Sequence, residues 1–410
     1  MINPPSSTPW LSIVGIGEEG WAALTPVAQL CITQAEILVG SDRHFALIPP
    51  VAAPEQWRWG SPFSATIARI LERRGQSVCV LASGDPMCFG VGSLLAQRLP
   101  LAELQILPAP SAFSLACARL GWALPEIETL SLCGRDPALL NALLYPGAKI
   151  LALSADSSTP ATIAQQLCQQ GWGASRLTVL EHLGGFQERI VSEVAETWSN
   201  PAIAALNTVA IECRASDGAR YFPPRLAGLP DAAYHHDGQL TKREVRAITM
   251  AALAPCPGQL LWDVGAGCGS IGIEWMRSDR RCRAIAIEQH PQRLQFITQN
   301  AIALGVPNLQ VVAGSAPRAL VDLPQPDAIF IGGGVTAPGV LDQCWQALKV
   351  GGRLVVNAVT LESEQLLLAE QQRLGGELNR VAVQRAEPIG RFLSWKALAP
   401  ITQWTVIKKA

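Results

Sequence analysis

Residues 263–272 read "DVGAGCGSIG" and directly follow the apolar run "QLLW" at 259–262. A short apolar run that meets glycines and then a helical period is the signature of a strand, a tight turn and a helix. Gly267, Gly269 and Gly272 fit the GxGxxG spacing of a nucleotide-cofactor loop, and an overlapping frame places glycines at 265, 267 and 269. Around this loop the alternation continues in both directions. The spacing predicts a helix over 241–253, a strand over 259–263, a helix over 270–277, a strand over 283–288, a helix over 291–304, strands over 309–312 and 327–331, a helix over 338–348 and a strand over 352–357. That order predicts a doubly wound, Rossmann-like α/β domain.

Upstream the same grammar recurs, with strands expected at 11–16, 77–82, 148–153, 176–180 and 207–212 and helices at 64–74 and 159–170. It fails at 214–238, where "RASDGARYFPPRLAGLPDAAYHHDG" carries Pro, Gly and Asp without a period, so a domain boundary is expected there, between 222 and 223. A chain of 410 residues, 49% hydrophobic, is long and apolar enough for two cores. Both halves are expected to be α/β with largely parallel sheets.

Charge narrows the partners. Lys and Arg number 32 against 33 Asp and Glu, with no run of either sign, which argues against nucleic acid and against a membrane surface. The eleven cysteines are odd in number, form no CxxC pair and mostly sit in apolar runs, so they are read as reduced thiols of a cytoplasmic protein. "MINPPSSTPW" at the start has no positive region followed by an apolar stretch. A small-molecule partner is expected, and no metal.

The glycine spacing does not by itself choose the cofactor. Asp263 would repel a pyrophosphate but suits the ammonium of a methionine, which favours S-adenosylmethionine. Glu288, closing the next strand, is placed for ribose hydroxyls. "VGIGEEG" at 14–20 is a second GxGxxG after a strand, but Glu18 and Glu19 would face a bound pyrophosphate. NAD is therefore not expected at either loop.

Read together, "VGIG" (14–17), "ASGDPMCFGVGS" (82–93), "LPAPSAFSLACARLGW" (107–122) and "EHLGGFQERI" (181–190) resemble, in this order, the tetrapyrrole methylase family. The resemblance implies a class III methyltransferase of two subdomains over residues 1–222. Its cofactor would lie in the cleft between them, against Gly15, Gly17, Gly84, Asp85, Pro86, Ser111 and Ala112. Cys133 in "SLCGR" stands where that family usually has histidine, and "PAPSA" at 108–112 departs from its PG-x-SS pattern.

"HDGQLTKREVRA", "DVGAGCGSIGIEW", "GSAPRAL", "DAIFIGGG" and "GGRLVVNAVTLES", between 236 and 363, resemble the decarboxylating precorrin methyltransferase module, a class I methyltransferase fold over 223–410. By that resemblance Thr241, Asp263, Gly265, Ala266, Gly267, Cys268, Gly269, Glu288, Gly314, Ser315 and Ala316 would bind cofactor. Thr241 also reads as the N-cap of its helix, with Glu244 completing a capping box. Lys242 and Arg246 are the candidates at the reacting centre. Arg243, His236, Gly332 and Gly333 are the candidates for substrate, whose carboxylates call for cations. His182 reads as structural, and the twelve tryptophans as core.

Fused in this order, the two resemblances imply methylation of a precorrin at C5 by the first module, and C15 methylation with loss of the C12 acetate carboxyl by the second. Two S-adenosylmethionine sites per chain and a homo-oligomer are expected. The alternatives are a cobalt-containing substrate and a carrier that binds the macrocycle without turnover.

Overall fold

The computed structural model describes residues 9–50, 55–199, 202–216 and 224–410. The chain divides into two compact units, Met1–Pro137 with Pro146–Ala219, and Ala138–Tyr145 with Arg220–Ala410. The boundary expected between 222 and 223 lies outside the described residues.

The first unit holds two five-stranded sheets. In one, β1 (Leu11–Ile16), β2 (Ile37–Gly40), β3 (Glu55–Arg58), β4 (Val78–Ser83) and β5 (Leu104–Leu107) run parallel in the order β3-β2-β4-β1-β5. Ile13 and Val14 are both fully buried, as are Val80 and Leu81. Successive strand residues face opposite sides, so both faces of this sheet are covered, and the sequence shows unbroken apolar runs instead of alternation. The other sheet, β6 (Glu128–Ser131), β7 (Lys149–Leu153), β8 (Arg176–Glu181), β9 (Arg189–Val194) and β10 (Asn207–Glu212), has the order β6-β7-β10-β8-β9. Only β6 and β7 pair in parallel there. This departs from the expected parallel sheet because β8 and β9 form a hairpin, and β10 returns between β7 and β8.

The second unit is built on a seven-stranded sheet. β11 (Leu260–Val264), β12 (Arg283–Glu288), β13 (Gln310–Ala313), β14 (Ala328–Ile331) and β15 (Arg353–Ala358) are parallel, and β16 (Glu377–Val381) joins beyond them. β17 (Gln384–Ile389) and β18 (Phe392–Ala397) form a separate hairpin, and β19 (Ile401–Ile407) returns to the large sheet. The order is β13-β12-β11-β14-β15-β19-β16, with β19 antiparallel to both neighbours. The chain moves outward from β11 to β13 and then resumes at β14 on the other side. Between β11 and β14 the order reverses, which opens a crevice at the carboxyl ends of the strands. Trp262, Trp275 and Trp404 are fully buried in this unit, in line with a core role. Among the described residues no helix is long and apolar enough to cross a membrane.

Candidate functional site

In the second unit the crevice is a cleft of about 660 Å³, within the range of roughly 300–1,000 Å³ usual for cofactor and small-molecule sites. Its floor is the loop after β11. Gly265, Gly267 and Gly269 have φ of +69°, +59° and +82°, where a Cβ is strained. Gly265 also lies against the backbone of Gly333, and a Cβ on it would stand 2.8 Å from the Gly333 carbonyl oxygen. The amides of Gly265 and Ala266 both donate to the Ile287 carbonyl at 3.0 Å.

Glu288 is the organising acid. Its Oε2 receives the Gly267 amide, and its Oε1 the amides of Gln289 and His290, each at 2.9 Å. The Glu288 carbonyl takes the Gly314 amide at 2.9 Å. A carboxylate has about four acceptor positions, so three amides leave one to face the cleft. That is what a ribose hydroxyl needs. Gly314, Ser315 and Ala316 continue the wall beside it, with Thr241, Lys242, Gly332 and Gly333 around the opening. The residues present thus suit S-adenosylmethionine: a glycine loop whose positive φ values and close approach to Gly333 exclude side chains from the cleft floor, and a fixed acid with one free acceptor.

Several expected residues stand elsewhere. Asp263 is almost fully buried beneath the loop and does not line the cleft. Its Oδ2 holds the Gly272 amide at 2.9 Å, and its Oδ1 has no partner. Burial raises its pKa to about 7. It organises the start of helix Ser270–Ser278 and makes no direct contact with the cleft. Cys268 is buried, with its thiol pushed up to about 11 by burial, and Gly269 packs on Ile297.

Arg246 is corrected most strongly. Its side chain is 0% exposed, and Nε donates to Oε1 of Glu274 at 2.5 Å. Its other nitrogens reach the carbonyls of Thr241 and Leu229, and its guanidinium lies over the Tyr234 ring. Glu274 also takes the Gly228 and Leu229 amides and the Tyr234 hydroxyl. This is an internal clamp on residues 228–246, and the fully buried guanidinium does not reach the cleft. Thr241 is not the N-cap of the following helix, which runs Arg243–Leu253. Lys242 holds that position without a side-chain cap, and Asp231 Oδ1 takes the Arg243 amide at 2.9 Å. Glu244 pairs with Arg385 instead of closing a capping box. The Arg243 and His236 side chains do not line the cleft, and Nδ1 of His236 is taken by the Gly238 amide at 3.0 Å.

The sequence reading missed Asn357. It lines the cleft from β15, with Nδ2 donating to Thr249 Oγ1 at 2.9 Å and Oδ1 receiving Gln403 Nε2 at 2.9 Å. Thr249 and Gln403 are buried, so the amide of Asn357 is held in one orientation. Lys242 forms no ion pair among the described residues, whereas Arg293, also in the wall, is paired with Asp237 at 2.9 Å.

The first unit has a cleft of about 240 Å³, lined from both of its sheets by Gly17, Gly84, Asp85, Ser111 and Ala112 among others. Gly15 lies behind it. A Cβ there would meet the Gly84 carbonyl oxygen at 2.0 Å and the Ala109 nitrogen at 2.6 Å, so this glycine lets the loops after β4 and β5 close over β1. Pro86 also faces away, packed against Gly92. Asp85 Oδ1 takes the Met87 amide at 2.8 Å and shapes its own loop. Ser111 caps helix Ala112–Leu120 by accepting the Ser114 amide at 3.1 Å. The glycine edges and the mixed polar and apolar wall suit the same cofactor. Glu18, Arg43, Ser83 and His182 share this cleft, and only Glu18 and His182 had drawn comment in the sequence, neither as part of a site. Among the described residues no group of three or more His, Cys, Asp or Glu is arranged to hold a metal ion.

Two α/β units, each with a glycine-edged cleft, define a tandem methyltransferase. Residues 11–197 match the model of the tetrapyrrole (corrin/porphyrin) methylases, and residues 232–408 that of the precorrin methyltransferase domain. A Sinorhizobium sp protein named precorrin-6Y C(5,15)-methyltransferase [decarboxylating] is 49% identical over 99% of this chain and 98% of its own. The chain belongs to the precorrin-6Y C(5,15)-methyltransferase (decarboxylating) family, whose members are S-adenosylmethionine-dependent methyltransferases. Two shorter relatives match about half of it. Cobalt-precorrin-7 C(5)-methyltransferase of Salmonella typhimurium is 30% identical over 48% of this chain and 98% of its own. A Pyrobaculum calidifontis protein, named "Probable cobalt-precorrin-6B C(15)-methyltransferase (decarboxylating)", is 31% identical over 44% of this chain and 95% of its own.

Proposed function

We propose that this chain methylates a precorrin at C5 in the cleft of the first unit, and in that of the second methylates C15 and removes the carboxyl of the C12 acetate. One S-adenosylmethionine would bind in each cleft. The observation that carries this reading is the presence of two clefts, each complete within its own compact unit. The half-length relatives support the division, since one is named for C(5) and the other for C(15) with decarboxylation.

S-adenosylmethionine supplies a methyl group on a sulfonium, already activated for in-line transfer. The protein's task is then proximity and orientation, which are worth up to about 7–11 kcal/mol of barrier. In the second unit Glu288 and the amides it fixes orient the ribose, and Gly314, Ser315 and Ala316 form the side wall. Lys242 meets a substrate carboxylate, and Asn357, locked by Thr249 and Gln403, presents a fixed amide to the macrocycle. In the first unit Gly84, Ser111 and Ala112 edge the cofactor's place. Decarboxylation leaves the electron pair of the broken carbon–carboxyl bond in the conjugated ring, which acts as the sink, and the methylene left at C12 then takes up a proton to become methyl. A cobalt-containing substrate is the second reading, because both half-length relatives are named for cobalt-precorrins.

Mass spectrometry of the product made from purified precorrin tests the assignment. Two added methyls and one lost carboxyl are expected, and metal analysis of the accepted substrate separates the two readings. A product with one methyl, or with its acetate intact, would overturn it.

A further inference from the structure

We propose that His182 is the proton acceptor for C5 methylation, with Glu18 as the residue that positions it. The proposal rests on the assignment of C5 methylation to the first unit and adds the residue that completes the reaction there.

Glu18 lies just after β1, and His182 directly follows β8, 164 residues away, yet His182 Nδ1 lies 2.9 Å from Glu18 Oε2. Arg43 holds the other oxygen of Glu18 and also donates to Ser83 Oγ. Burial alone would raise the carboxyl, but the hydrogen bonds from His182 and Arg43 outweigh it and keep Glu18 below the ordinary glutamate range. An ionised carboxylate only accepts. The proton of the neutral ring therefore sits on Nδ1, and the lone pair is left on Nε2. Nε2 has no protein partner among the described residues, and the His182 side chain is 24% exposed on the cleft wall.

The neighbouring histidine contrasts with this. His44 Nδ1 accepts the Ser41 amide and Nε2 contacts Ser83 Oγ at 3.0 Å, so both of its nitrogens are engaged. Burial, with the charge of Arg43, pushes it down to about 4. His182 alone of the pair keeps a free acceptor. It does so with φ at +46°, a conformation that a non-glycine residue keeps only where its surroundings hold it. The surroundings are visible: its amide donates to Leu206, its carbonyl accepts from Gly185, and Glu18 fixes the ring.

The chemistry needs such a group. C5 is a meso carbon carrying one hydrogen; when its carbon–methyl bond forms as the sulfur–methyl bond breaks, C5 becomes tetrahedral and the conjugation is interrupted. Restoring it requires the C5–H pair to return to the ring and the proton to leave. His182 Nε2 takes that proton and becomes imidazolium, and the charge is balanced by Glu18. The proton then passes to water.

The test uses the full chain. In ¹⁵N-histidine-labelled protein at alkaline pH, two-bond ¹H–¹⁵N spectra should show His182 as the Nδ1–H form. His182→Gly suits φ +46° and should fold. It should keep S-adenosylmethionine binding, C15 methylation and decarboxylation, and lose C5 methylation by about 10²-fold or more in kcat with KM little changed. Added imidazole should restore much of that loss. Glu18→Gln should lower the same kcat by roughly tenfold, since the neutral amide no longer balances the imidazolium. An Nε2–H tautomer, a His182→Gly protein that methylates C5 at the wild-type rate, or a folded one that imidazole does not rescue would overturn the proposal. Wild-type protein that methylates only C15 would instead overturn the assignment of C5 methylation to this chain.

Discussion

The Gly267 amide donates to Glu288 Oε2 at 2.9 Å, so the glycine loop after β11 and the acid that ends β12 form one object. Three backbone donors converge on that carboxylate. Glu288→Gln turns one of its oxygens into an amino group that faces another donor. The expected outcome is at least a tenfold loss of S-adenosylmethionine affinity in the second unit and a loss of about 1–3 kcal/mol in its stability, the cost of a buried donor left unpaired. Titration calorimetry and urea unfolding measure the two; an unchanged affinity would remove Glu288 from the cofactor site.

Gly265→Ala tests the cradle. The new Cβ would meet the Gly333 backbone at 2.8–3.1 Å and sit at φ +69°, so the loops after β11 and β14 must part. Calorimetric stoichiometry should fall from two cofactor molecules per chain to one, with C5 methylation retained. A stoichiometry of two in a folded Gly265→Ala protein would show that the cleft does not depend on this contact.

Arg246 should matter for stability, not for catalysis. Arg246→Ala leaves Glu274 charged and buried, which costs about 3–5 kcal/mol. Because Glu274 also serves Gly228, Leu229 and Tyr234, the double replacement Arg246→Met with Glu274→Leu should not recover the loss. Denaturant unfolding decides the matter: a fully stable Arg246→Ala protein with altered substrate KM would return this residue to the substrate site.

Asp263 gives the second unit a pH signature. Its folded pKa, raised to about 7, exceeds the ordinary value of 3.8, so the folded state binds its proton more tightly than the unfolded state. The favourable contribution is full below about pH 4 and is lost as pH rises through 7. Asp263→Asn can still accept the Gly272 amide and should flatten this part of the profile. Unfolding free energies of the two proteins, measured from about pH 5 to 8, should diverge toward the alkaline end in favour of the variant; parallel curves would show that Asp263 is ionised throughout.

How much of this was legible follows from what a sequence displays. The doubly wound half was readable because strands buried on both faces, such as Leu260–Val264, appear as continuous apolar runs between helical periods. The hairpin Gln384–Ala397 was not, since its strands are largely exposed and carry no one-sided pattern. Gly265, Gly267 and Glu288 announced themselves through spacing. Arg246 and Asp263 misled because residue type does not disclose burial: one is locked to Glu274, the other covered by the loop it supports. Asn357 and the Glu18–His182 pair were silent because their partners lie 108 and 164 residues away.

The position of β19 sets a timetable for synthesis. It lies between β15 and β16, although β16 emerges from the ribosome before it. Until residues 401–407 have been translated, β16 has no neighbour to pair with and β15 presents an open edge to solvent. Leu398, Ala399 and Ile401, which help to close the second cleft, also arrive at this stage. A nascent chain can thus display its first cleft, complete, while the second still lacks a wall, and a chaperone guarding exposed strand edges would find its target on β15 during that interval.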